Sequence, residues 1–147
     1  MIRKLALMSF LAVIGCVANH GGGGAAEFTI QSIAGKSWQL VRMESESGET
    51  RPVDGSLVSF SCTPEGAVAG QASINRYSGS MVADGSRISR WNPFRVTRMA
   101  GPPELMTQET LFLQALPKTT RFFMFGEKLV FVNEDRGVRL EFIALSD

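Results

Sequence analysis

Few residues of this chain could act as nucleophiles, bases or metal ligands. Its 147 residues include two cysteines, Cys16 and Cys62, and one histidine, His20. A cysteine nucleophile needs a nearby base, but His20 lies beside four glycines, in a segment typical of a flexible tether. In the alternating segment LVSFSC, Cys62 shares a face with Val58 and Phe60, which favours a small buried apolar residue over a nucleophile.

Sequence motifs of known catalytic chemistry are also missing. The chain has no Cys-x-x-Cys pair, no histidines at metal-ligand spacing, no G-x-S-x-G and no phosphate loop. We therefore expect no catalytic residue, no metal ligand and no cofactor.

Residues 70–79, GQASINRYSG, form the most notable cluster of polar and aromatic side chains. Asn75 can bond its own neighbouring backbone and tolerates a left-handed conformation, and Tyr77 can bury its ring and satisfy its hydroxyl at an edge. Arg76 could pair with a loop carboxylate, and the two terminal glycines would relieve the backbone at bends. These residue types suit a structural corner that fixes a strand crossing. Contact with a ligand or partner is the alternative.

The first twenty residues differ in composition from the rest of the chain. Arg3 and Lys4 make a positive start, and Leu5–Ile14 is an apolar run broken by one serine. Such a run is too short to span a bilayer but suits the hydrophobic region of a secretory signal. It closes in VIGC at Cys16, which resembles a bacterial lipobox, where cleavage precedes a cysteine that carries diacylglycerol. A plain signal peptide cut near Ala18 is the alternative.

The predicted organisation is a lipoprotein signal peptide (1–15), a lipidated N-terminus with a glycine-rich linker (16–33), and one domain (34–147). Lipidated Cys16 would make the membrane a partner, because each buried CH₂ contributes about 0.8 kcal/mol. Val17, where an Asp would favour the inner membrane, indicates the periplasmic face of the outer membrane. A free periplasmic or secreted domain is the alternative.

Composition supports one folded domain and excludes one class of partner. Hydrophobic residues make up 44% of the chain, enough for a core. Fifteen Lys and Arg residues nearly balance fourteen Asp and Glu residues, with no basic run. Since nucleic-acid binding needs a basic surface, we expect no nucleic-acid partner.

Most of the domain has the pattern of short strands. Alternation and turn residues predict seven to eight of them, and the polar stretch 44–55 is interpreted as a loop. The clearest candidates are residues 38–43, 57–62, 87–91, 94–99, a hairpin about Gly126-Glu127, and an alternating segment with Val138, Leu140 and Phe142 on one face.

One segment, about residues 103–116, has helical periodicity instead. Leu105, Glu109, Phe112 and Leu116 fall in one row, and a proline suits the first turn. A single amphipathic helix among antiparallel strands predicts an α+β fold, with the sheet curled or forming a partial barrel.

Two motifs together resemble the META-domain family, also called the heat-shock protein HslJ type. Family members carry a glycine-rich strand leading to Cys-Asn-Arg-Phe/Tyr-Ser-Gly, then a Thr-Arg-Met element, a helix and closing strands. The matching residues here are Asn75, Arg76, Tyr77, Ser78 and Gly79, followed by Thr97, Arg98 and Met99. The resemblance covers residues 34 to 145 and implies links to envelope integrity, stress and antibiotic tolerance, without an agreed molecular activity.

Two positions depart from the family pattern. Members of the family typically have a cysteine just before the Asn and another shortly after Thr-Arg-Met, whereas this chain has Ile74 and Gly101. Their joint replacement is what the loss of a bonded or contacting pair would produce. Packing, with Ile74 as the candidate, would then replace the disulfide.

We therefore expect a non-enzymatic envelope protein that binds, escorts or supports a partner. Phe112 and the run Phe122–Phe125 crowd one region. They could line a cleft for a hydrophobic ligand, as in pilotin lipoproteins, or simply fill a core.

Two other functions stay open from the sequence. An adaptor could bind another envelope protein through an exposed strand edge or through a patch near Arg90 and Trp91. Trp91 and Phe94 could be exposed anchors there or could equally be core residues. A hydrolytic enzyme would need a carboxylate with a raised pKa in a pocket beside Tyr77 or Arg98.

Overall fold

The computed structural model describes residues 27–146. The predicted signal peptide, Cys16, His20 and the linker up to residue 26 lie outside the described residues. Residues 27–146 contain two α-helices, α1 (Ile30–Ile33) and α2 (Pro103–Ala115), and ten strands. The strands are β1 (Ser37–Ser45), β2 (Gly48–Thr50), β3 (Ser59–Cys62), β4 (Ala67–Ala72), β5 (Asn75–Asp84), β6 (Arg87–Trp91), β7 (Arg95–Val96), β8 (Arg121–Phe125), β9 (Lys128–Asn133) and β10 (Val138–Ala144).

Eight of these strands close into a ring. Neighbours pair antiparallel in the order β10–β9–β8–β6–β5–β4–β3–β1, and β1 pairs again with β10. Closure depends on β1, because its residues Ser37–Gln39 pair with β3 and Trp38–Glu44 pair with β10. The short strands β2 and β7 add to β1 and β5. The predicted α+β fold with a curled antiparallel sheet is confirmed.

Aromatic side chains that face inward fill the ring. Phe60, Phe131 and Phe142 lie with ring centroids 5.0–6.0 Å apart, and Phe122 lies 5.5 Å from Phe131. From α2, Phe112 reaches the Phe142 ring at 6.4 Å. All five are fully buried, and tilted or edge-on pairs at these distances are favourable. The helix and the sheet therefore share one core.

The predicted helix is confirmed almost to the residue. Pro103 stands in the first turn of α2, where an amide donor is not needed. The helix ends at Ala115 and passes into a 3₁₀ turn, Leu116–Lys118. In the described part of the chain, no helix combines the length and apolar character needed to cross a membrane.

Most predicted strands are also confirmed. β6 covers residues 87–91, and Gly126-Glu127 joins β8 to β9 with Gly126 at a φ of 60°. Along β10, Val138, Leu140 and Phe142 are buried, as their alternation predicts.

Two segments differ from the prediction. Of residues 94–99 only Arg95–Val96 is a strand, because the Met99 amide donates to the Asn75 side chain instead of a neighbouring strand. The polar stretch 44–55 contains β2, which forms a tight hairpin with β1 through the Ser45–Gly48 pair. Gly48, at a φ of 106°, permits that turn.

Residues 30–33, assigned to the linker by sequence, form α1 and pack with the domain. Ile30 and Ile33 are buried in the core. The Ile33 carbonyl oxygen accepts a hydrogen bond from Trp38 Nε1 at 3.2 Å. This contact fixes the chain just before β1.

Candidate functional site

Asn75, the first residue of β5, connects distant parts of the chain. Its Oδ1 accepts hydrogen bonds from the Met99 amide at 2.7 Å and the Thr97 hydroxyl at 2.9 Å. Its Nδ2 donates to the Met99 carbonyl oxygen at 3.0 Å and to Glu109 Oε1 at 2.7 Å. These bonds use both donors and both acceptor positions of the amide. The side chain therefore has no hydrogen-bonding capacity left for a ligand.

The Asn75 side chain does not bond its own neighbouring backbone, and Asn75 is not in a left-handed conformation. Its side-chain partners lie 22 to 34 residues away along the chain instead of on the neighbouring backbone. The residue in the left-handed conformation is Ser73, at a φ of 78°. Asn75 thus fixes tertiary contacts, while Ser73 makes the turn between β4 and β5.

Glu109, in the middle of α2, completes this cluster. Its side chain is 5% exposed, and Oε2 accepts from the Asn75 amide at 2.7 Å and the Ile74 amide at 3.2 Å. Beside it, Gln108 accepts a hydrogen bond from the Val53 amide at 2.7 Å. The helical periodicity includes Glu109 in the apolar row of α2 and does not indicate this role. An acidic residue within an apolar helical stripe was the available signal.

We call Asn75, Thr97, Met99 and Glu109 the motif corner. A buried carboxylate requires hydrogen-bond donors, and here they come from Asn75 and two backbone amides. In residues 27–146 no side-chain N or O atom that is fully buried lacks a partner. The corner therefore ties α2 and the 97–99 segment to the start of β5.

Tyr77 is buried as expected, with its hydroxyl satisfied at a strand edge. The hydroxyl donates to the Ser59 carbonyl oxygen at 2.7 Å, and the ring lies 5.6 Å from Phe112. Burial raises the pKa of Tyr77 well above its usual range. A Cβ at Gly70 would overlap that same carbonyl oxygen and lie 2.8 Å from the tyrosine ring.

The motif glycines serve close packing, so the expected role at bends is wrong. Gly70 lies inside β4 and Gly79 inside β5, and neither has a positive φ. A Cβ at Gly79 would lie 2.5 Å from the Phe94 ring. Both positions need glycine because neighbouring groups occupy the space of a side chain.

Arg76 and Arg98, the two arginines of the motifs, are exposed. The ion pairs in the described part of the chain use other arginines, so Arg76 does not pair with a loop carboxylate there. The structure therefore separates the predicted motif residues into a buried set and an exposed set.

The model of the META domain family matches residues 31–147. This chain belongs to the META domain family. No curated protein matches it. The family assignment made from the two motifs is confirmed over the whole ring and α2.

Solved structures share the fold of this META domain. An NMR structure of a protein from Burkholderia xenovorans gives a TM-score of 0.64 at 22% identity, covering 80% of this chain and 87% of that one. A second NMR structure gives a TM-score of 0.54 at 17% identity, covering 77% of this chain and 93% of that one. The crystal structure of a DUF4847 family protein from Bacteroides vulgatus ATCC 8482 gives a TM-score of 0.51 at 16% identity, covering 77% of this chain and 94% of that one. At these identities the likeness establishes the fold alone.

In this META domain the two positions that depart from the family pattern touch each other. A Cβ at Gly101 would lie 2.6 Å from Ile74 Cγ1. Ile74 therefore fills the space beside the Gly101 backbone, as a contacting pair requires.

Cys62 is buried on the inner face of β3 and is not in a disulfide. Burial raises the pKa of its thiol to about 11. Within residues 27–146 no group of three or more His, Cys, Asp or Glu residues is placed to hold a metal ion.

The apolar residues proposed for a cleft lie in different places. Phe112 and Phe122 are fully buried in the core. The guanidinium carbon of Arg121 lies 5.5 Å from the centroid of the Phe123 ring. Phe125 is 66% exposed at the end of the β8–β9 hairpin. The structure does not bring this set together into one cleft.

Trp91 and Phe94 pack against the core. Trp91 Nε1 donates to the Thr119 carbonyl oxygen at 2.9 Å, and its ring lies 5.9 Å from Phe94 and 6.2 Å from Phe131. Both are half-buried, so neither projects as an isolated anchor.

Two surface grooves border the motif residues. The first, which we call the cationic groove, crosses the outer face of β1, β3, β4 and β5 as two adjoining hollows of about 630 Å³ each. Lys36, Arg76 and Arg95 line it, together with small residues that include Ser37 and Ser78. The second, the Met99 groove, has a volume of about 520 Å³ and lies between residues 94–100 and α2.

Proposed function

We propose that this chain is a non-enzymatic, lipid-anchored protein of the cell envelope whose META domain is a binding module. In this proposal Cys16 carries the lipid and holds the domain at the periplasmic face of the outer membrane. The family resemblance links such a protein to envelope stress and antibiotic tolerance.

The observation that carries this proposal is the complete hydrogen bonding of the motif corner. A general acid or base must reach the proton that it transfers. Glu109 instead accepts three hydrogen bonds within the fold, and the Asn75 amide is fully used. The carboxylate nearest the motif is therefore committed to holding the domain together.

The nucleophile candidates support the same proposal. With a thiol pKa of about 11, Cys62 is protonated at neutral pH, and it has almost no exposed surface. The Tyr77 hydroxyl donates to a backbone carbonyl. A hydrolytic site beside Tyr77 or Arg98 would have to use groups other than these.

The anchoring part rests on the N-terminal sequence, and intact mass spectrometry tests it. Full-length protein would be expressed in a Gram-negative host and extracted in detergent beside a Cys16→Ser variant. We expect the wild-type mass of a chain that starts at Cys16 and carries diacylglycerol and an acyl group, and we expect the variant to lack these groups. A soluble wild-type product starting at residue 19 or later would contradict the anchor.

An adaptor is the second candidate, because the Met99 groove offers an apolar contact surface. Met99 is 56% exposed, and Val96, Met106 and Leu113 line the groove beside it. A photo-crosslinking residue in place of Met99 should capture one envelope protein, while the same residue at exposed Val82 should not. Equal labelling at both positions would count against the adaptor.

A further inference from the structure

Three cations line the cationic groove, and like most cations of residues 27–146 they form no ion pair. Outside the groove, Glu141 on β10 accepts hydrogen bonds from Arg42, Lys128 and Arg139. The residues lining the cationic groove include Lys36, Arg76 and Arg95 but no Asp or Glu. All three are exposed, and none is in an ion pair in the described part of the chain. The groove therefore has uncompensated positive charge.

Strand register places two of these cations close together. Arg95 of β7 pairs with Ser78 of β5. Two residues away along each segment, the Arg76 carbonyl oxygen accepts a hydrogen bond from the Thr97 amide at 3.0 Å, and the Arg76 amide donates to the Thr97 hydroxyl at 3.0 Å. Arg76 and Arg95 are thus diagonal neighbours on the outer face, with Cα atoms roughly 7–8 Å apart. Like charges at that spacing favour an anion between or above them.

Serine hydroxyl groups also line the cationic groove. The Ser59 and Ser61 hydroxyls bond the backbone of β4, whereas those of Ser37 and Ser78 have no side-chain hydrogen bond within residues 27–146. Guanidinium groups with adjacent hydroxyls match the oxygens of a phosphate, which accept several hydrogen bonds at once.

We propose that the cationic groove binds the phosphate headgroups of anionic membrane lipids. The choice of a membrane lipid over a free phosphate rests on the proposed lipid anchor. One end of the groove is formed by Gly35 and Lys36, just after α1. The tether from Cys16 meets the domain before α1, where Glu27 lies beside Gly85. An anchor there would keep the domain close to the bilayer, where Lys and Arg near an anionic surface each strengthen binding.

Vesicle co-sedimentation tests the proposal without using the anchor. Full-length protein with Cys16→Ser would be mixed with vesicles of phosphatidylcholine alone or with about one third phosphatidylglycerol. The groove variant carries Lys36→Gln, Arg76→Gln and Arg95→Gln. The control variant carries Arg87→Gln, Arg90→Gln and Arg136→Gln, which remove the same charge from exposed positions outside the groove. Urea unfolding would first establish that both variants have the same unfolding midpoint as the parent, the Cys16→Ser protein.

We expect the preference for phosphatidylglycerol vesicles to fall at least about tenfold in the groove variant and to persist in the control variant. The N-terminus, with its apolar run and with Arg3 and Lys4, is common to all three proteins, so the difference between the groove variant and the control variant reports on the groove. Equal losses in the two variants, or no preference in the parent, would overturn the proposal.

Soluble probes separate a lipid from other anions. In NMR titrations, glycerophosphoglycerol should shift the amide signals of Ser37 and Ser78 in the parent and not in the groove variant. Shifts by inorganic phosphate without vesicle preference would indicate a free-phosphate site and overturn the lipid assignment. Stronger binding of an oligoglutamate peptide than of the vesicles would overturn it in favour of a protein partner. Failure here leaves the lipidation result at Cys16 unaffected, so the two proposals can fail separately.

Discussion

At the scale of single residues, burial decides which groups can react. Cys62 packs with Val58 and Phe60 on the inner face, as their alternation predicts. The same pattern could not reveal the role of Glu109, because helical periodicity only assigns a residue to a face. Its hydrogen-bond donors come from Asn75 and Ile74, more than 30 residues earlier, and no local signal names them.

Reactivity of Cys62 tests this account of burial. In the Cys16→Ser chain Cys62 is the only thiol. With a pKa of about 11, the native thiol at pH 8 is thiolate in roughly one molecule in a thousand. We expect Ellman's reagent to react at least about 100-fold more slowly in native buffer than in urea, and faster as pH rises. Equal rates in both solvents would show that the thiol is accessible.

At the scale of elements, local patterns predict regular segments well and irregular ones badly. Helical periodicity determines α2, and the turn dipeptide Gly126-Glu127 determines the β8–β9 hairpin. β7 is short because the Asn75 side chain takes the Met99 amide. The 97–101 segment is therefore ordered by tertiary contacts, including that between Ile74 and Gly101.

A double substitution, Ile74→Cys with Gly101→Cys, tests the placement of this segment. The two positions are close enough that a disulfide should form on oxidation. Closing a loop of this length should stabilise the oxidised protein by about 3 kcal/mol over the reduced double variant. Urea unfolding of both redox forms would measure it. Failure of the pair to oxidise in the folded protein would mean that the segment lies elsewhere.

At the scale of the whole molecule, ring closure joins the two ends of the domain. Arg42 on β1 donates to Glu141 on β10 at 3.2 Å, across 99 residues of chain. Sequence patterns predicted the strands β1 and β10 but not their pairing, since alternation specifies a face and leaves the neighbour open. Burial alone would raise the pKa of Glu141, but hydrogen bonds from Arg139 and Lys128 outweigh it and hold the pKa at about 2.

Acid should therefore weaken the closure. A lowered folded-state pKa gives stability that is complete above the unfolded-state value, near 4.5, and is lost as pH falls through about 2. Glu141→Gln should cost roughly 2–3 kcal/mol at pH 7, and this difference from wild type should shrink towards pH 2. Urea unfolding of both proteins across this range measures it. A difference that stays constant with pH would exclude the carboxylate charge as its source.

The central claim is that the family motif is a structural corner that holds the helix and the ring together. Urea unfolding of Asn75→Ala tests it most directly, with Arg98→Ala as the matched motif control. Asn75→Ala removes four hydrogen bonds and leaves Glu109 and the Met99 amide short of partners. We expect it to lower the free energy of unfolding by about 2–4 kcal/mol, while exposed Arg98→Ala changes it by less than about 0.5 kcal/mol. Unchanged stability in Asn75→Ala would contradict the account and return Asn75 to the candidates for ligand contact.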